Sequence, residues 1–159
     1  MLRCYVSVMT THTYSAQVAW QGSTGAGYRA YPRAHSGVAP PSAEIPLSAD
    51  PHFRGDATRV NPEQLLVLAA SSCQLLSFLS VAAHAGVDVL DYEDNAEGVM
   101  PDGRTTMRIE RIDLTPVIRV APGTDHDRIR ALVEQAHHGC YIANSLTTTV
   151  TVTATVVDA

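Results

Sequence analysis

The segment Asn61–Ala85 constrains this chain more than any other. From Leu65 to Ala83 it carries no charged residue. Asn61 is a good N-cap, and Pro62 then falls at the first helical position, where its missing N–H removes no bond. Gln64 stands three residues after the cap, as in a capping box, and Gly86 suits the position just past a helix end. The spacing predicts one helix over 61–85. Its apolar residues occupy nearly every face, so burial on all sides is expected. The length approaches the roughly 20 residues of a membrane span. Ser71, Ser72, Gln74, Ser77 and Ser80 interrupt the run, however, and strand-like patterns surround it. The expectation is a core helix with no membrane contact.

The flanking patterns give the rest of the fold. Tyr14–Trp20 alternates weakly and reads as a strand, followed by the turn cluster Gln21–Gly27. Tyr28–Val38 reads as a second strand, with Pro32 favouring an edge or a bulge. Ala39–Val60 reads as a loop with four prolines, and a loop of that length in a compact domain is often functional. Val87–Met100 is a strand ending in the turn Pro101–Arg104, and Thr105–Gly123 gives one or two more, with Pro116 as a bend. A second helix begins at Thr124, places Asp127 at the third position and stops at Gly139, with Ile129, Leu132, Val133 and Ala136 as its apolar stripe. Thr147–Val157 is rich in β-branched residues and is the clearest strand. The order ββ-α-ββ(β)-α-β defines an α+β domain.

The chain has 159 residues, so the expectation is a single domain over 1–159. Met9, followed by TTHTYSAQVAW, reads as a start of its own, which would make Met1–Val8 an extension. The composition is 45% hydrophobic and 17% charged, as in globular chains. A net charge of -5 argues against nucleic acid, whose binders need a basic face. Three cysteines, Cys4, Cys73 and Cys140, do not make a disulfide framework, and the N-terminus lacks the apolar core of a signal peptide. Together these point to the cytoplasm.

Two of the thiols invite a chemical reading. Cys140 follows Gly139 at the start of a short helix, where the dipole and free N–H groups would stabilise a thiolate. Cys73 lies mid-helix without that help, so a neighbouring cation, best an arginine, would have to lower its pKa. Equally, either cysteine can be an inert small hydrophobe of the core. His137, His138 and Cys140 fit no standard zinc spacing, and no GxSxG motif is present. No metal and no cofactor are expected.

NPEQLLVLAASSC, Asn61 to Cys73, resembles the helix signature of the OsmC/Ohr family of thiol-dependent hydroperoxidases, with its glutamate ten residues before its cysteine. CYIANSL resembles the family's second cysteine motif: Cys140 and Asn144 match, while Tyr141 replaces a proline and Ala143 a serine. YEDNAEGVM is similar to the strand that follows the helix in one subgroup. The resemblance spans about Tyr14 to Val157. It implies an OsmC-like fold with two central helices, about 61–85 and 125–138, packed against antiparallel sheets in an intertwined homodimer. It implies that Cys73 attacks the peroxide and that Cys140 resolves the product. It gives the acidic role to Glu63 and an arginine role to Arg33, with Arg54 and Arg29 as alternatives. The implied partners are a small organic hydroperoxide and a dithiol reductant such as a lipoylated protein.

The chemistry suits these residue types. A thiolate attacks the distal peroxide oxygen and becomes a sulfenic acid, which a second thiol condenses to a disulfide. A carboxylate can orient an arginine through a bidentate pair. The leucines and Phe78 near Cys73 suggest an apolar pocket favouring organic peroxides. Ten residues of helix separate Glu63 from Cys73 by roughly 15 Å and about 1000° of rotation, so they cannot touch along one straight helix. A shared site would need the partner chain's helix or a spanning arginine, which favours a two-fold dimer. Otherwise Glu63 is simply a favourable first-turn charge. A non-catalytic redox sensor or small-molecule binder on the same scaffold is the alternative to a peroxidase.

Overall fold

The computed structural model describes residues 10–103 and 105–159. Cys4, Arg104 and the suggested Met1–Val8 extension lie outside the described residues. The chain forms two compact units that divide between Val60 and Asn61.

In the first unit, β1 (Gln17–Ala19), β2 (His35–Val38) and β3 (Ile45–Leu47) form one antiparallel sheet in the order β1-β2-β3. The strand expected over Tyr28–Val38 is cut to its last four residues. Tyr28–Ala30 is a turn, closed by Ala30 N–H to the Gly27 carbonyl. The proline-rich stretch expected to be a loop contributes β3 and a 3-10 turn at Pro51–Phe53. Pro46 is tolerated in β3 because that strand is an edge.

The second unit is organised by α1 (Pro62–His84). Its capping box forms as the spacing predicts. The Asn61 side chain accepts from Gln64 N–H at 2.8 Å, and Gln64 Oε1 accepts from Asn61 N–H at 3.0 Å. Gly86 takes φ +67, which L side chains rarely adopt, and so ends the helix. Arg128 of the second helix donates to the Ala85 carbonyl at 2.7 Å and satisfies one of the acceptors left free there.

The expected burial on every face of α1 does not occur. Only Ala70, Gln74, Phe78 and Ala82 are buried, a stripe repeating every fourth residue. Leu68 and Leu76, 63% and 64% exposed, lie on the opposite side together with Leu79. The helix is long and apolar enough to cross a bilayer, yet its buried stripe packs on sheets.

Those sheets differ from the expected pattern. β4 (Val89–Asp94), β7 (Pro116–Val120) and β9 (Thr155–Asp158) form one, in the order β4-β7-β9. The other is β5-β6-β8, from β5 (Glu97–Val99), β6 (Arg111–Leu114) and β8 (Thr149–Val152). Both are mixed, not antiparallel: β7 pairs with β9, and β6 with β8, in parallel. Each long strand read from sequence therefore breaks and changes sheet, between Asp94 and Glu97, at Thr115, and at Thr153–Ala154. Asp94 fixes the break. Its carboxylate accepts from Thr115 N–H at 2.7 Å and from Ser71 Oγ of α1 at 2.5 Å, while Thr115 Oγ1 donates to the Asn95 carbonyl at 2.8 Å.

The break creates two cores along one helix. The C-terminal half of α1 buries Phe78 and Ala82 against Ile118, Val120 and Val156, and against Ile129, Val133 and Ala136 of α2 (His126–His138). The N-terminal half buries Ala70 against Ile109, Ile112 and Leu114. β5 passes so close to α1 that a Cβ on Gly98 would lie 2.5 Å from Val67 Cγ2. Any larger residue there would have to displace the Val67 side chain. The cap of α2 is Asp125, one residue later than expected, accepting from Asp127 and Arg128 N–H.

Candidate active site

Cys73 stands in α1 between the two cores. Gly139 ends α2, and the chain turns at once into α3 (Tyr141–Asn144), with Cys140 as its N-cap residue. This reversal brings the two cysteines together across 67 residues (140 minus 73). Both are free thiols. Ile142 N–H, in the first turn of α3, approaches Cys73 Sγ at 3.5 Å.

The N–H groups at the start of α3 serve both thiols: Ile142 and Tyr141 act on Cys73, and Ala143 and Ile142 on Cys140, as the sequence suggests. Burial pushes the Cys73 thiol up, but donors outweigh it: Ile142 N–H, the Cys140 thiol, Tyr141 N–H and the Ser77 hydroxyl leave its pKa below the ordinary value. Ser77, one turn further along α1, supports its own helix neighbour. Cys140 is only 1% exposed. Burial first, and then the neighbouring Cys73, raise its pKa, against lowering contributions from Ala143 and Ile142 N–H. The pair is thus polarised, with Cys73 the more acidic thiol. No arginine of this unit acts on Cys73 among the described residues.

The other expected site residues are placed as follows. Glu63 lies half-buried in the first turn of α1. The continuous helix holds it about 15 Å along the axis from Cys73. Within its unit it takes no hydrogen bond or ion pair among the described residues. Arg29, Arg33 and Arg54 belong to the first unit. Arg33 precedes β2 instead of lying in a strand, and its guanidinium is engaged locally. It donates to the Tyr28 and Tyr31 carbonyls and stacks over the Tyr31 ring at 3.6 Å. Arg54, at φ +67, closes the 3-10 turn and approaches the Tyr28 ring at 5.8 Å. Arg29 is exposed. Phe78 does not line a pocket: it is fully buried in the core. Among the described residues no three His, Cys, Asp or Glu side chains converge as metal ligands.

Sequence reasoning missed Ser77 and the backbone donors that α3 sends to Cys73. Ser77 was findable, since four residues along a helix is one turn. The donors were not, because they depend on how α3 docks.

A dithiol held at the junction of two cores, on a central helix flanked by broken mixed strands, defines a redox-capable α+β domain. The OsmC-like protein family model matches residues 55–155, and the chain belongs to that family. An OsmC-like protein of unknown function from Vibrio cholerae is 29% identical, over 92% of this chain and all (100%) of that one, with a TM-score of 0.80. An organic hydroperoxide resistance protein OsmC from Legionella pneumophila is similar in fold, at 19% identity, 93% and 98% coverage and a TM-score of 0.68. Another fold relative is a putative organic hydroperoxide resistance protein from Vibrio cholerae, with captopril bound in one of its active sites. It is 22% identical, with 94% of each chain covered and a TM-score of 0.63. Among curated proteins none matches the chain.

Proposed function

We propose that this protein is a thiol-dependent peroxidase that reduces organic hydroperoxides. The observation that carries the reading is the polarised dithiol: Cys73 with a lowered pKa, bonded by Ile142 N–H, beside a buried Cys140 with a raised one. The Cys73 thiolate attacks the distal peroxide oxygen, an alcohol leaves, and Cys73 becomes a sulfenic acid. Cys140 condenses with it, releasing water and forming a Cys73–Cys140 disulfide. A dithiol reductant, such as a lipoylated protein, returns both thiols. The relatives described as organic hydroperoxide resistance proteins support this reading through shared fold. The roles that the resemblance gives Glu63 and Arg33, with Arg54 and Arg29 as alternatives, are carried as part of the proposal. Arg33→Met, Arg54→Met and Glu63→Gln each read one of them. The cytoplasm is the proposed compartment, where thiols stay reduced between turnovers.

A homodimer is also part of the proposal. The exposed apolar stripe of α1, Leu68, Leu76 and Leu79, is the kind of surface that a second copy of the chain covers. Sedimentation should give twice the chain mass, and Leu76→Glu should shift it toward the monomer.

The deciding experiment follows cumene hydroperoxide with dihydrolipoamide, thioredoxin or dithiothreitol as reductant. Consumption that depends on Cys73, with a Cys73–Cys140 disulfide after one equivalent of peroxide, is the expected result. If wild type and Cys73→Ser consume peroxide equally, the reading is wrong. Disulfide formation without turnover with any reductant would favour a redox sensor.

A further inference from the structure

Three buried side-chain atoms among the described residues lack a hydrogen-bond partner: Gln74 Oε1, Tyr92 Oη and His137 Nδ1. An unpaired buried polar group is unfavourable, so each one calls for a reason. Gln74 carries the reason furthest, because the other end of its amide is fixed. It follows Cys73 directly in α1 and is 0% exposed. Its Nε2 donates to the Val133 carbonyl of α2 at 3.2 Å. That bond settles how the amide lies: turned over, Oε1 would face the carbonyl oxygen. The Val133 carbonyl also takes the N–H four residues on, as in any helix interior, so it has a partner without the glutamine. Leucine or methionine would fill the same space with no polar group to satisfy. A buried polar contact that adds little stability can still fix how two helices register.

The place of this bond gives the register a consequence. A second side-chain bond ties the helices at their far end, where Arg128 reaches the Ala85 carbonyl at 2.7 Å. Gln74 pairs with the later residue of α2 and Ala85 with the earlier one, so the helices run antiparallel and the two bonds oppose a slide of one along the other. The Arg128 bond acts twelve residues from Cys73 (85 minus 73), roughly 18 Å along the axis. The Gln74 bond acts one residue away. Beyond Val133, α2 runs on to His138, and Gly139 turns the chain into Cys140 and α3. A slide of α2 by one residue, about 1.5 Å, would carry Cys140 and Ile142 with it. A disulfide needs its sulfurs about 2.0 Å apart in a narrow range of geometry, and Ile142 N–H already stands 3.5 Å from Cys73 Sγ. Both arrangements are lost over such a distance. We propose that Gln74 is a positioning residue of the dithiol, whose buried bond to Val133 holds α2 in the register that presents Cys140 and Ile142 to Cys73. This inference rests on the reading of Cys73 and Cys140 as a redox couple.

Gln74→Met keeps length and packing while removing both the donor and the orphan acceptor. Its urea midpoint should stay close to that of wild type, since the lost bond and the removed unpaired atom offset each other. Disulfide closure is driven with oxidised dithiothreitol: Cys73 and Cys140 each give up a proton and an electron, their sulfurs bond, and the reagent becomes its dithiol. The equilibrium constant for this exchange, read by mass spectrometry after acid quench, should fall on the order of fivefold in Gln74→Met, the worth of one hydrogen bond. Iodoacetamide labelling of Cys73 in the same variant should shift to higher pH by about half a unit. Arg128→Met, which loosens the far bond, should leave both readouts as in wild type. Unchanged closure and labelling in Gln74→Met would overturn the proposal. So would a loss of stability with neither readout moved, or equal changes in the two variants. In wild type, the Gln74 side-chain amide protons should be protected from solvent exchange by NMR in both redox states; exchange as fast as that of an exposed glutamine overturns the proposal even where a variant does not fold. If oxidised dithiothreitol closes the disulfide and peroxide does not, the peroxidase reading fails and the Gln74 comparison stands.

Discussion

The turn of α1 around Cys73 and the chain reversal at Cys140 hold the same functional group in opposite environments. Cys73 lies inside a helix whose own N–H groups are spent on the ladder, yet it collects donors from Ile142, Tyr141 and Ser77. Cys140 caps a helix, the position usually credited with thiolate stabilisation, yet burial dominates and its pKa rises. A thiol's acidity therefore follows the balance of burial against the donors aimed at its sulfur, and here the start of α3 donates to both sulfurs while burial outweighs it only at Cys140.

Removing one member tests the contrast most severely. Cys73→Ser should lower peroxide turnover on the order of a thousandfold or more. Cys140→Ser should instead leave a Cys73 sulfenic acid that dimedone traps in one equivalent, as mass spectrometry would show. Phe78→Ala acts on the core shared by α1 and α2, where its ring packs with Tyr92. It should cost about 3–5 kcal/mol by urea unfolding. Asp94→Asn acts on the Cys73 side, through Ser71 and the strand break. A loss of about 1–3 kcal/mol is expected by the same measurement, and no loss would mean that the break does not depend on the carboxylate.

The polarity itself has a pH signature. Cys73 has a lowered pKa, so it is thiolate at pH values where Cys140 is still thiol, and its reactivity is lost only as pH falls through that lowered value. Iodoacetamide labelling read peptide by peptide should favour Cys73 near neutrality on the order of tenfold; equal labelling would erase the contrast. The smallest effect belongs to Asn61→Ala, which removes the capping box and should cost about 1 kcal/mol in thermal or urea unfolding without reversing the order of labelling.

Much of the local structure was legible. Asn61, Pro62, Gln64 and Gly86 marked both ends of α1, and Ile129, Val133 and Ala136 marked the core stripe of α2, because caps and helical spacing act within a few residues. The strand breaks were not legible. Residues 112, 114, 116, 118 and 120 are all buried, so inward-facing alternation runs unbroken from β6 into β7 while the chain changes sheet. The same happens from Val150 to Val156. Period-two patterning reports which face is inward and is blind to which partner strand follows. The exposed side of α1 was misread for a related reason: composition gives a residue's preference, not whether the same chain covers it.

By itself the sequence determined the two helices, their caps, the α+β class and the spacing of two thiols, since each rests on contacts a few residues long or on a recognisable motif. The tertiary structure decided which thiol is the acid. That depends on α3 turning back over α1 so that Ile142 N–H reaches Cys73 while Cys140 is sealed in the core. Desolvation and hydrogen-bond geometry set a pKa, and both belong to the packed molecule, where residues nearly half the chain apart meet.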